Sequence, residues 1–191
     1  MAKKIGIVGA GISGLVLGCT LKLNSIDCVI FERSSGVSEY GAGISISPNG
    51  LILLHRIGIL DQLRHNSCRP INVAWRKTNG LPFRTISLKD FGKVITMNRR
   101  ELTKALHDKY INLGGEILFD HELEKIDENK CILSFKNLEN FQASHIVGCD
   151  GIKSNIRSNN FYSAKYPQYS GFTAWRGIGT SDSKNINFYL G

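Results

Sequence analysis

Lys4-Ile5-Gly6-Ile7-Val8-Gly9-Ala10-Gly11-Ile12-Ser13-Gly14-Leu15 decides how this chain begins to fold. Residues 4–8 read as a short buried strand, Gly9 to Gly14 as a turn, and Leu15 to Leu23 as a helix with small residues on one side. Asn24-Ser25 breaks the helix, and residues 27–31 form a second strand ending at Glu32. Strand, glycine turn, helix and strand in this order make a right-handed βαβ unit. The turn is a complete G-x-G-x-x-G. Gly9 permits the sharp exit from the strand. Gly11 lacks a Cβ and lets a pyrophosphate approach the main chain, and Gly14 with Gly18 allows close helix–strand packing. The helix N-terminus then presents N–H groups and its dipole to the phosphates. Glu32 stands at the end of the next strand, where a carboxylate accepts ribose hydroxyls. The motif predicts a bound dinucleotide and leaves NAD and FAD both open.

Working outward, 191 residues suffice for one domain or a domain with part of another. A chain 42% hydrophobic and 21% charged has a globular composition, and no apolar run reaches the length of a membrane span. The start lacks the apolar stretch of a signal peptide. Five scattered cysteines, odd in number and without a C-x-x-C pair, predict a reducing, cytoplasmic setting and no metal site. Net charge is +8, but no run of Lys or Arg exceeds two residues. That pattern points to anionic small molecules rather than to nucleic acid.

Residues 34–43 form a polar, Gly-rich loop. Pro48-Asn49 opens a helix with Leu51, Leu54, Ile57, Leu60 and Leu63 at helical spacing, ended or bent at Gly58. Residues 71–77 and 83–88 alternate around Asn79-Gly80 as a hairpin. Asn98 to Leu113 is a helix with Leu102, Ala105, Leu106, Tyr110 and Leu113 on one stripe, stopped by Gly114-Gly115. Strands at 116–119, 122–127, 131–136 and 141–147 read as a β-meander. An apolar strand at 145–149 runs into Asp150-Gly151, a short helix covers 154–158, and the chain is strand-like again from Ser170 through Gly177. In Asp150-Gly151-Ile152-Lys153-Ser154-Asn155-Ile156-Arg157, Ser154 and Arg157 share one helix face, and Asp150 sits at a strand end, where open sheets hold ligands.

These segments together resemble the class A flavoprotein monooxygenases, the FAD-dependent aromatic-ring hydroxylases. The fingerprint with Glu32-Arg33 is one match. The loop Gly41-Ala42-Gly43-Ile44-Ser45-Ile46-Ser47-Pro48-Asn49-Gly50 is another, as are Arg99-Arg100-Glu101-Leu102 and the Asp150-Gly151 segment. A looser fifth is Tyr169 to Gly177. The resemblance implies an α/β fold: a Rossmann-like FAD-binding domain, with parallel sheet and β-meander, plus the first strands of a mixed-sheet substrate domain. It places the former at 1–70 and 94–162 and the latter at 71–93 and 163–191. It implies FAD as cofactor, NAD(P)H as electron donor, and O2 with a small aromatic molecule as co-substrates. Gly9, Ala10, Gly11, Ser13 and Gly14 are expected at the pyrophosphate, Glu32 at the adenosine ribose and Arg33 beside the adenine. Gly43 and Ile44 are expected near the flavin, Arg99 at the phosphates or ribityl chain, and the Leu123 backbone at adenine. Asp150 and Gly151 are expected as structural and cofactor residues. The resemblance names no catalytic residue within this chain.

The sequence departs from the family in lacking its late G-D segment and most of its substrate-binding sheet. It therefore reads as the N-terminal portion of such an enzyme. A dinucleotide-binding reductase module without oxygenation, or an inactive remnant, are the alternatives.

Overall fold

The computed structural model describes residues 4–37, 43–89, 92–160 and 166–173, and the backbone of 189 and 190. The chain divides into two compact units. Unit 1 holds Met1–Tyr40 and Thr103–Ala174, and unit 2 holds Gly41–Leu102 and Trp175–Gly191. Elements are numbered in chain order.

Unit 1 is built on a parallel sheet of four strands. These are β1 (Ile5–Val8), β2 (Cys28–Phe31), β7 (Glu116–Leu118) and β11 (Ile146–Gly148), in the spatial order β11-β1-β2-β7. The helix α1 (Ile12–Leu23) connects β1 to β2. An antiparallel meander of β8 (Leu123–Asp127), β9 (Ile132–Phe135) and β10 (Phe141–Gln142) accompanies the sheet. A short helix, α5 (Asn155–Asn160), follows β11.

Alternation along the strands sorts side chains onto two faces. Val8, Val29 and Phe31 point toward the meander and share one core with Leu123, Leu133 and Phe135. Phe31 stacks on Phe135 at 4.6 Å between ring centroids and meets Phe141 edge-on at 5.0 Å. The opposite face, with Cys28 and Ile30, receives α1 and the later turns of α4 (Arg99–Asn112). Tyr110 of α4 is the keystone there and is fully buried. Its ring fills a notch left by two glycines: a Cβ on Gly18 would lie 2.8 Å from the ring and one on Gly115 only 2.5 Å. Its hydroxyl lies 3.2 Å from the Cys28 carbonyl of β2 and 3.3 Å from the Glu116 carbonyl of β7. Burial, more than any neighbour, holds this phenol protonated. Tyr110→Phe keeps the ring and removes the tie between two strands. Thermal unfolding is expected to show a loss of about 1–2 kcal/mol.

Unit 2 contains an antiparallel pair, β3 (Gly43–Ile46) with β6 (Ile95–Asn98), and the helices α2 (Pro48–Ile57) and α3 (Leu60–His65). It also contains the hairpin of β4 (Asn72–Arg76) and β5 (Pro82–Ser87), with β12 (Tyr189–Leu190) parallel to β4. Leu51, Leu54, Ile57, Leu60 and Leu63 are all buried, as their spacing predicts. Gly58, at φ 82°, divides their run into two helices. Asn98 caps α4 by accepting the Arg100 N–H at 2.9 Å, with Glu101 in the first turn.

Four local expectations change. Residues 116–118 do not join the meander but pair in parallel with β2, extending the main sheet. The strand expected at 141–147 is two strands in different sheets, because after β10 the chain turns and Ser144 donates its N–H to the Lys4 carbonyl. The first helix starts at Ile12 rather than Leu15. Residues 170–173 are not a strand, and 174–177 lie outside the described residues.

Candidate functional site

Three neighbouring strands of unit 1 end side by side. Val8 is in register with Phe31 on one side and Gly148 on the other, so Gly9, Glu32 and Cys149 follow at one level. The chain leaves β1 for β2 on one flank, whereas β11 occupies the other. The carboxyl end of β1 is thus the switch point of the sheet, where open α/β proteins bind ligands.

The three fingerprint glycines differ in what surrounds them. Gly9 has φ +106°, and a Cβ there would lie 2.4 Å from the Cys149 carbonyl oxygen. A Cβ on Gly14 would lie 1.9 Å from the Gly9 carbonyl oxygen. Both positions are closed by backbone. Gly11 is the opposite case: it is exposed, and a Cβ would meet nothing within 4 Å. Open space over that main chain is what close approach of a diphosphate requires. Gly11 is also the N-cap of α1. No side chain caps this end, and the first turn holds no acidic residue. Ser13 is exposed in that turn, and Ala10 is buried beneath it.

The carboxylate of Glu32 closes the site. Its Oε2 accepts the Ala10 N–H at 2.8 Å and its Oε1 accepts the Ser34 N–H at 3.0 Å. A carboxylate offers about four acceptor positions. Each oxygen therefore keeps capacity for one hydroxyl after bracing the turn. Arg33 beside it is exposed.

Asp150 is tied into its own segment. Its Oδ2 accepts the N–H of Asn155 at 2.7 Å and of Ile156 at 3.2 Å, while Ser154 Oγ accepts the Arg157 N–H at 2.9 Å. The start of α5 is thus capped by the protein itself. Gly151, at φ +79°, supplies the turn that lets Asp150 reach forward. The Cys149 N–H donates to the Val8 carbonyl at 2.7 Å, so the same segment buttresses the back of the Gly9 turn. Burial, then the Asp150 charge, pushes the Cys149 thiol above its ordinary pKa.

Leu123 has a buried side chain, and its carbonyl accepts the Asn155 amide at 3.1 Å. Gly43, Ile44 and Arg99 belong to unit 2. There Gly43 pairs with Asn98 and Ile44 with Met97, so this ladder ends beside Arg99 at the start of α4. A Cβ on Gly43 would make only an ordinary 3.7 Å contact with the Met97 carbonyl. Gly41 and Ala42 lie outside the described residues. Sequence reading missed the Ser34 and Ala10 bonds to Glu32. It also missed the cap that Asp150 places on α5, a contact across five residues that lies outside the short spacing of an ordinary N-cap. Among the described residues no group of His, Cys, Asp and Glu could hold a metal, and no helix is long and apolar enough to cross a membrane.

Residues 2–181 match the family described as FAD binding domain. Among curated relatives, 3-amino-4-hydroxybenzoate 2-monooxygenase of Streptomyces cremeus is 28% identical over 98% of this chain and 51% of its own length. The 6-hydroxynicotinate 3-monooxygenase of Pseudomonas fluorescens is 27% identical over 92% of this chain and 47% of its own. In a solved tetrameric form, 2-methyl-3-hydroxypyridine-5-carboxylic acid oxygenase superposes with a TM-score of 0.73 at 28% identity, over 80% of this chain and 40% of that one. The chain spans about half the length of the curated relatives it matches.

Proposed function

The chain belongs to the FAD binding domain family, and on that premise we propose that it supplies the dinucleotide-binding part of an FAD-dependent monooxygenase acting on a small aromatic molecule. The observation that carries this reading is the uncapped start of α1 under the open main chain of Gly11, with Glu32 braced beside it. In this reading the pyrophosphate of FAD rests against the N–H groups that follow Gly11, and Glu32 accepts the ribose hydroxyls. Arg33 flanks the adenine, with the Leu123 backbone at its edge. Gly43, Ile44 and Arg99 would serve the flavin half. Asp150 and Gly151 would serve as structural and cofactor residues. Residues 1–70 and 94–162 would form the FAD domain, and 71–93 and 163–191 part of a substrate domain. When bound, FAD supplies hydride acceptance from NAD(P)H and the activation of O2. The chain's own residues bind and orient it. A soluble cytoplasmic setting belongs to the same proposal.

Calorimetry tests the reading. FAD and ADP are both expected to give heat. Glu32→Ala removes a charged acceptor, and binding of both ligands is expected to weaken about tenfold or more. Absence of heat with FAD, ADP and NAD(P)H alike overturns the proposal.

A further inference from the structure

All of the net charge of this protein falls in one of its units. Unit 1 carries twelve Lys and Arg against twelve Asp and Glu, whereas unit 2 carries twelve against four, which is the full +8. Within unit 2, residues 62–89 contain Arg64, Arg69, Arg76, Lys77, Arg84 and Lys89 and no acidic residue. This stretch is the β4–β5 hairpin with its approach. Arg64 reaches back to Asp61. Among the described residues Lys77 and Arg84 form no ion pair, and both are exposed.

Between these two cations the hairpin tip is apolar. Leu81, Pro82 and Phe83 follow one another and all are exposed, Leu81 to 62% and Phe83 to 60%. A single exposed leucine is ordinary, but three consecutive apolar residues at a loop tip are what a purely solvated surface avoids. The tip also keeps its main chain well bonded. The Lys77 N–H donates to the Leu81 carbonyl at 2.9 Å, and the Gly80 N–H donates to the Lys77 carbonyl at 2.8 Å. Asn79 Oδ1 accepts the Leu81 N–H at 3.1 Å, and the Arg76 guanidinium donates to the Gly80 carbonyl at 2.6 Å. Pro82 has no N–H to satisfy. Such a turn can leave water at low cost, because few of its backbone groups lose a partner. At its base the Arg84 guanidinium carbon stands 5.8 Å from the centroid of the Trp75 ring, a cation–π contact that keeps this charge beside the apolar tip.

We propose that the β4–β5 hairpin docks on an anionic lipid surface, with Leu81 and Phe83 entering the headgroup region while Lys77 and Arg84 meet lipid phosphates. Interfacial binding has two components, buried apolar area and attraction between basic side chains and anionic headgroups. Residues 77–84 carry both. A soluble polyanion would satisfy the charges but leave Leu81 and Phe83 in water, so it is the poorer partner. Contact of this kind is peripheral and needs no spanning helix. The field of unit 2 draws the chain toward such a surface and fades as salt shortens the screening length. None of these residues belongs to the dinucleotide site, so the hairpin and the cofactor reading stand or fall separately.

Sedimentation of the whole chain with sucrose-loaded vesicles tests this. Vesicles of phosphatidylglycerol and phosphatidylcholine in equal parts are expected to carry the chain down at low salt, and vesicles of phosphatidylcholine alone are not. The partition coefficient should fall about tenfold at ~0.5 M NaCl. Lys77→Gln combined with Arg84→Gln should lower it about tenfold. Leu81→Ser combined with Phe83→Ser leaves every charge in place and should also lower it about tenfold. Circular dichroism checks that each variant is folded. Phe83→Ser alone, with an expected loss of about threefold, stands in if the apolar pair is not. Failure to sediment with the anionic vesicles overturns the proposal, as does equal sedimentation with both kinds. It is also overturned if a folded chain lacking Leu81 and Phe83 sediments undiminished. Charge alone would then be acting, and heparin or RNA would serve as well as a bilayer.

Discussion

Gly11→Asp is expected to hold or raise the stability of the fold while removing its affinity for FAD and ADP. The two effects have opposite signs because of what surrounds this position. Gly11 has φ −71° and ψ −179°, extended backbone that any residue adopts, and a Cβ meets nothing within 4 Å. No packing or strain therefore opposes a side chain. The residue is the N-cap of α1, and aspartate is among the best caps, since its carboxylate accepts the N–H two or three residues on. It also complements the helix dipole. The gain should be up to about 1 kcal/mol, seen as an unchanged or slightly higher Tm. That same carboxylate occupies the donors that a diphosphate needs and sets a like charge against it. Loss of two or more charge-assisted hydrogen bonds, with repulsion added, predicts affinity lower by a factor on the order of 100. Thermal unfolding with calorimetry on one preparation checks both halves. A stabilised variant that still binds FAD normally would mean that the diphosphate does not lie at Gly11.

How much of this could be read in advance differs from residue to residue. The β1–α1–β2 unit was legible because its information is local: apolar strands, three glycines at fixed offsets, and an acidic residue at the second strand's end. The split at Gly58 was legible for the same reason. The partner of β7 was not. Three residues, Glu116–Leu118, carry no local sign that they pair with Val29–Phe31, more than 80 positions earlier. A meander was the natural reading of a short strand followed by more short strands. The bonds of Glu32 to the main chain were hidden too, because a carboxylate near a ligand site looks the same in sequence whether or not it also braces a turn. Charge, by contrast, is unevenly placed along the chain itself: residues 41–102 hold ten Lys and Arg against three Asp and Glu.

Gly14→Val, three residues from Gly11, should have the contrary outcome: loss of the folded state, with ligand binding lost only as a consequence. Here the added Cβ would lie 1.9 Å from the carbonyl oxygen of Gly9, well inside van der Waals contact. That oxygen cannot retreat, because Gly9 is itself pinned. Its N–H donates to the Phe31 carbonyl at 2.7 Å, its φ is +106°, and a Cβ on it would strike the Cys149 carbonyl. The alternative is to lift α1 away from the sheet. That would draw Gly18 from the Tyr110 ring and from Ile30, opening the buried layer in which Leu15, Cys19 and Tyr110 lie. Overpacking a rigid contact typically costs about 1–3 kcal/mol, and a backbone clash with no escape belongs at or beyond the upper end. Against a domain stability of about 5–15 kcal/mol, further cavity costs in that layer would leave little margin. The expected observation is aggregation on expression, or a urea midpoint shifted far toward lower concentration. A well-folded Gly14→Val chain would show that the β1–α1 turn is looser than its hydrogen bonds indicate. The contrast with Gly11 would then lose its basis, since both glycines would answer to ligand binding alone.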